Sequence, residues 1–142
     1  MTTPEDRPVR GLLDTSTLIL LPQLGEATAL PVEPLISTIT LAELSVGPLV
    51  ARTDVERAAR QAHLQQAEAD FDPLPFDAAA ARAFGQVASA LRRAGRKPAT
   101  RSYDAMIAAV AVANDLPLYT CNPDGFTAIE QLLVIDVPHP AA

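Results

Sequence analysis

Asp14, Glu43 and Asp104 are three carboxylates with no basic residue adjacent to them in the chain. Asp14 ends the short apolar run of residues 9–13 and precedes Thr15, Ser16 and Thr17. An acid at the carboxyl end of a buried strand, just before a helix, lies where open α/β sheets place their ligands. Each acid has a structural alternative. Asp14 can cap the helix that follows, Glu43 can close a capping box with Thr40, and Asp104 can favour a helix dipole. Together, these readings need three separate reasons for acids to gather at one edge of one sheet. Clustered carboxylates repel unless a cation sits among them. Hard divalent ions such as Mg²⁺ prefer oxygen ligands and keep several waters. Such an ion would stabilise charge on a phosphate and activate a water for in-line attack. Thr15 and Ser16 are placed to bind a phosphate or orient that water, and capping explains them nearly as well.

The elements that must position these acids follow from the pattern of the chain. Residues 9–13 read as a strand followed by a short helix, and residues 25–34, with two prolines, read as a loop. Leu35, Ile36 and Ser37 form a second short strand. Thr40 then opens a helix that Gly47 and Pro48 end or kink. Asp54 opens a third helix, running to about Ala69, with Val55, Ala58, Ala59 and Ala62 as its apolar face. Residues 73–76 are briefly extended. Asp77 caps an alanine-rich helix that passes through Phe84, Val87, Ala88 and Leu91 and ends near Gly95. After a loop over residues 97–101, Thr100 or Ser102 starts a helix whose residues 105–113 are apolar on every side, which predicts burial. Residues 116–120 and 133–137 complete the strands. Strands separated by helices mean a parallel α/β sheet. The expected organisation is one domain over residues 1–142, with flexible ends at 1–8 and 138–142.

Composition bounds the partners. The chain has 142 residues, 49% of them hydrophobic and 20% charged, as in an ordinary globular protein with a real core. No apolar run approaches the roughly 18 residues that span a bilayer, so no membrane partner is expected. Glu5, Asp6, Arg7 and Arg10 ahead of a short strand are not the plan of a secretory signal. The one cysteine, Cys121, cannot form an internal disulfide, which makes the cytoplasm the natural setting. A net charge of −6 argues against indiscriminate nucleic-acid binding. Yet five of the 11 basic residues, Arg92, Arg93, Arg96, Lys97 and Arg101, share one ten-residue window. Such a run is usually a solvated helix end, but it can also hold a phosphodiester backbone.

Other chemistry finds little support. A haloacid-dehalogenase-like phosphatase needs a second acid two residues after the nucleophile, where Ser16 stands. A receiver domain needs a lysine after a later strand, and the one lysine, Lys97, falls in a loop. His63 lies on a polar helix and His139 in the tail, so neither is placed as a base. A single buried thiol such as Cys121 is most often inert.

Four segments in order resemble the PIN-domain family, and in particular its VapC-type ribonuclease toxins. They are Leu12-Leu13-Asp14-Thr15-Ser16, Thr40-Leu41-Ala42-Glu43-Leu44, Tyr103-Asp104-Ala105-Met106-Ile107-Ala108, and Leu118-Tyr119-Thr120-Cys121-Asn122-Pro123. The resemblance covers almost the whole chain. It implies a PIN-like α/β domain with a central parallel sheet flanked by helices. The implied activity is a metal-dependent endoribonuclease, using Mg²⁺ or Mn²⁺, that is homodimeric and held inactive by a VapB-like antitoxin. On this resemblance Asp14, Glu43 and Asp104 hold the metal, Asp14 and Asp104 most directly. Asn122, Asp124 and Ser16 tune a bound water or the substrate phosphate, and the basic window of Arg92, Arg93, Arg96, Lys97 and Arg101 holds the flanking RNA. One position departs from the pattern. Many relatives carry an acid directly before the phenylalanine, whereas here Gly125 precedes Phe126 and Asp124 comes one place earlier. The fourth position is therefore open between Asn122 and Asp124. The rival from another class is a catalytically silent PIN-fold module that only binds protein.

Overall fold

The computed structural model describes residues 9–25, 30–96 and 102–140. Strands β1 (Arg10–Leu13), β2 (Glu33–Leu35), β3 (Leu118–Thr120) and β4 (Val134–Asp136) form a parallel sheet in the order β2-β1-β3-β4. Leu12 pairs with Leu35 and Leu118, and Thr120 pairs with Asp136. Among the described residues, five α-helices flank the sheet: α1 (Thr15–Leu24), α2 (Thr38–Val46), α3 (Asp54–Asp70), α4 (Ala78–Arg93) and α5 (Ser102–Ala113). This is the α/β architecture expected from the alternation of strands and helices. The expected flexible end at 1–8 lies outside the described residues, as do 141 and 142.

The pleat sends alternate strand residues to opposite faces. Leu12 and Leu118 pack with Val87, Leu91, Ile107 and Val110 on the face covered by α4 and α5. Leu13 and Tyr119 pack with Ile36, Leu44 and Ala67 on the other, beside the apolar side chains of α1. Helix α5 is buried at Ala105 and from residue 107 to 111, as its unbroken apolar run predicts. Asp77 caps α4 by accepting from the Ala80 amide at 3.0 Å. Gly95, at φ +77°, lets the chain turn back so that the Arg96 amide donates to the Leu91 carbonyl.

Three expectations are corrected. The loop expected through residue 34 ends earlier, because β2 starts at Glu33 and contains Pro34. An edge strand tolerates a proline, since a missing N–H there need not break the ladder. The cap of α2 is Ser37, whose hydroxyl accepts from the Thr40 amide at 3.3 Å, so Thr40 lies inside the helix and there is no box with Glu43. The boundary is set from outside: Ser37 bridges Leu74, the Thr38 amide donates to the Leu74 carbonyl, and the Phe76 amide donates to the Thr38 hydroxyl. The extended segment at 73–76 thus fixes where α2 begins. Finally, Val55, Ala58, Ala59 and Ala62 of α3 are exposed, Val55 at 81%. The inward stripe is instead Arg60, Leu64 and Ala67. Arg60 lays its stem over Gly47, donates to the Gly47 carbonyl at 2.9 Å and pairs with Glu56. An arginine stem covers apolar surface while its head stays polar, and small alanines gave no comparable burial on the opposite face.

Candidate active site

Asp14 sits at the carboxyl end of β1 and is 4% exposed. It caps α1, with Oδ1 accepting from the Thr17 amide at 3.1 Å. Its other oxygen, Oδ2, accepts from the Thr120 hydroxyl at 2.6 Å. The Asn122 amide in turn donates to Thr120 Oγ1 at 2.9 Å, and the exposed Ser16 hydroxyl reaches Asp14 Oδ1 at 3.5 Å. Capping and a place at the ligand edge of the sheet are therefore compatible: one carboxylate does the first and is held rigidly for the second. The Cys121 amide donates to the Thr17 hydroxyl at 3.0 Å, which ties the start of α1 to the end of β3.

Glu43 reaches the same edge from α2. Freed from any capping role, its Oε1 accepts from the Thr15 hydroxyl at 2.7 Å, and Thr15 Oγ1 is 2.9 Å from the Thr40 hydroxyl. The Glu43 carboxyl is raised above the ordinary value of 4.5 mainly by burial. The Thr15 hydrogen bond opposes this rise, and repulsion from Asp104 and then Asp14 adds to it. Asp104 stands half-buried in the first turn of α5. The structure thus brings both other sequence-predicted acids, Asp104 and Asp14, within electrostatic reach of Glu43. Neither Asp14 nor Glu43 is in an ion pair among the described residues.

The other predicted residues are less concentrated. Asn122 and Asp124 are exposed, in and just before the 3₁₀ turn Pro123–Gly125, while Gly125 and Phe126 are buried. Arg92 and Arg93 are exposed in the last turn of α4, and Arg96 follows Gly95. Lys97, Thr100 and Arg101 lie outside the described residues. Cys121 is half-buried, and burial pushes its thiol up from 9.0, with the Thr17 hydroxyl opposing and Asp14 and Asp136 adding to the rise. A raised thiol is a poor nucleophile. A separate, mainly apolar groove of about 320 Å³ between α1, α2 and α3, lined by Leu18, Pro22, Leu44, His63, Asp70 and Phe71, includes none of Asp14, Glu43 and Asp104.

The sequence of the PIN domain family matches this chain over residues 12–132. The chain belongs to the PIN-domain family. It is 38% identical over 133 residues to Ribonuclease VapC5 of Mycobacterium tuberculosis, spanning 92% of this chain and 95% of that protein. Its fold matches the crystal structure of VapBC-5, a member of the VapBC family of toxin–antitoxin systems from the same organism. The TM-score is 0.78 at 36% identity, over 92% of this chain and 100% of that one. It also matches DNA-bound VapBC from Salmonella typhimurium, with a TM-score of 0.70 at 26% identity, over 90% and 98% of the two chains. This PIN domain is therefore a VapC ribonuclease homologue, and membership of the family implies dependence on a divalent metal ion.

The residues of this PIN domain fit such an ion by donor chemistry. Three carboxylates and neighbouring hydroxyls supply hard oxygen ligands, and Glu43 carries a repulsion that a cation would relieve. Among the described residues, no group of three or more His, Cys, Asp and Glu side chains is arranged to hold a metal ion, so the fit rests on donor type alone. The hydroxyls are what sequence reasoning missed. Thr17 and Thr120 were not singled out, and Thr40 was assigned to a cap. The available signal for Thr40 was its i, i+3 spacing from Glu43, which puts both on one helix face. Among the described residues, no helix is long and apolar enough to cross a membrane.

Proposed function

We propose that this chain is a metal-dependent endoribonuclease, the toxin of a toxin–antitoxin pair, which hydrolyses RNA phosphodiester bonds. The observation that carries this reading is the sheet edge where Asp14 is buried at the end of β1 and the Glu43 carboxyl is raised by repulsion from Asp104 and Asp14 on top of its own burial. Asp14, Glu43 and Asp104 would hold the metal, Mg²⁺ or alternatively Mn²⁺. When bound, such an ion supplies Lewis-acid stabilisation of charge on the phosphate and lowers the pKa of water. The chain's own part is positioning. The Thr17 amide and the Thr120 hydroxyl fix both oxygens of Asp14, so its direction is set before substrate arrives. Ser16, exposed beside Asp14, would face the phosphate, and Asn122 would offer a neutral oxygen in the turn where Gly125 replaces the acid of many relatives. Arg92, Arg93 and Arg96, with Lys97 and Arg101, hold the flanking RNA backbone. The relatives VapBC-5 and DNA-bound VapBC support a VapB-like antitoxin as the protein partner, and the homodimer is what the family resemblance implies.

Asp14→Asn and Asp104→Asn should each abolish RNA cleavage while the protein stays folded, because Asn caps α1 about as well as Asp and Asp104 is only half-buried in the first turn of α5. Cleavage at the wild-type rate in both variants, unaffected by chelator, rejects the carboxylate metal site, whereas no RNA cleavage by the wild-type chain with Mg²⁺ or Mn²⁺ present rejects the enzyme and leaves the silent interaction module. For the partner, expression of the chain alone should slow growth, and a small VapB-like protein should relieve it. Lone expression without a growth defect would reject the toxin reading even where nuclease activity survives.

A further inference from the structure

The Thr15 hydroxyl has one proton, and that proton goes to Glu43 Oε1 at 2.7 Å. The Thr40 hydroxyl lies 2.9 Å from the same Thr15 oxygen. With the Thr15 proton committed, the proton in this second contact must come from Thr40. The hydrogen bonds therefore run one way, from Thr40 to Thr15 to Glu43. Thr40 is fully buried, one turn before Glu43 on α2, and Thr15 is the first residue of α1, directly after Asp14. The chain of hydroxyls joins the two helices that carry two of the three acids. Among the described residues, the bond from Thr15 is the one hydrogen bond that the Glu43 carboxylate accepts, which leaves its second oxygen for a ligand.

We propose that Thr15 is a positioning residue for Glu43, held in its donating orientation by Thr40, and that these two hydroxyls set the Glu43 carboxylate for a divalent cation. This rests on the metal-site reading above. A committed donor removes the freedom of a glutamate to swing away. Thr40 contributes by occupying one acceptor position of the Thr15 oxygen, which favours the hydroxyl rotamer that donates to Glu43. Partners that orient a metal ligand in this way usually matter nearly as much as the ligand.

The test is Mn²⁺ titration calorimetry on the full chain, with thermal melting to show that each variant is folded. Thr15→Val should weaken Mn²⁺ binding about tenfold, in the range typical of lost outer-sphere partners, and Thr15→Ser should restore it. Thr40→Val should weaken binding less. The double variant should bind no more weakly than Thr15→Val alone, since the Thr40 hydroxyl acts only through Thr15. Wild-type affinity in Thr15→Val, equal losses in Thr15→Val and Thr15→Ser, or additive losses in the double variant would each overturn the relay. Glu43→Gln separates this from failure of the site itself. If Glu43→Gln binds Mn²⁺ like wild type, the metal site is wrong and the relay falls with it. If Glu43→Gln binds weakly and Thr15→Val does not, only the relay is wrong. Should Thr15→Val fail to fold, Thr15→Ala against Thr15→Ser makes the same comparison.

Discussion

Glu43 is the residue whose chemistry the fold alters most legibly. Burial, and then repulsion from Asp104 and Asp14, raise its pKa above 4.5 despite the opposing Thr15 bond. The native state therefore holds this proton more tightly than the unfolded chain does. The stability so gained is fully present below the unfolded value and is lost as pH rises through the raised native value. In chelator, the wild type should lose stability relative to Glu43→Gln as pH climbs from about 4.5 through that interval. Melting temperatures of the two proteins across pH 4 to 8 measure the difference. A flat or rising difference would show that burial does not act on Glu43 as described. Saturating Mg²⁺ should reverse the trend, because only the ionised carboxylate binds metal. Asp124 offers a contrast on the same scale. It is exposed in the 3₁₀ turn, and the charges that act on Glu43 are those of Asp104 and Asp14. Asp124→Ala should therefore leave cleavage and metal affinity within about twofold of wild type, as ordinary surface changes do. A loss as complete as in Asp14→Asn would make the shifted acid a ligand and refute the neutral role given to Asn122.

At the scale of elements, the site depends on β1 and β3 lying close enough for Thr120 to reach Asp14. Gly11 makes that approach possible. A Cβ at position 11 would fall inside the van der Waals envelope of the Tyr119 ring, with Pro31 Cγ at 3.1 Å on the other side. Gly11→Ala should destabilise the fold by about 1–3 kcal/mol, the usual cost of overpacking. It should also loosen Asp14, because the same two strands carry the carboxylate and its donor. A melting curve unchanged from wild type would mean the ring moves aside at no cost. Which elements were readable in the sequence follows from how local their causes are. Asp77 announced the start of α4, and the apolar run of α5 announced its burial, because cap and composition act within a few residues. Ser37 and Thr40 were equally good caps locally, and Leu74, far along the chain, decided between them. In α3 a patch of alanines outweighed Arg60 on hydrophobicity, yet Arg60 is the residue that packs on Gly47. The acids were legible by type and position. The hydroxyls that hold them were not, because Thr120 meets Asp14 across 106 residues of sequence, and only the strand register brings them together.

At the scale of the molecule, an acidic protein must still hold a polyanion. The net charge of −6 repels RNA at long range, so any affinity has to come from a local patch. Arg92 and Arg93 are exposed side by side in the last turn of α4, and Arg96 follows after Gly95. Among the described residues, none of the three is in an ion pair, whereas Arg10, Arg57 and Arg60 are. Cations at a helix C-terminus are stabilised by its dipole, so this position alone is compatible with a purely structural role. Salt dependence separates the two. If Arg92 and Arg93 each neutralise a phosphate, binding releases counterions, and the slope of log affinity against log salt carries about −0.7 per contact for a single strand. Arg92→Gln together with Arg93→Gln should then make that slope shallower by about 1.4, weakening RNA binding most at low salt. Mn²⁺ affinity should stay at the wild-type value, since neither arginine belongs to the acidic edge. Binding to a short single-stranded RNA, measured in chelator so that none is cleaved, gives the slope directly. An unchanged slope with unchanged affinity would return both arginines to the helix end. The RNA would then have to be held by other residues of the basic window or by a second protomer.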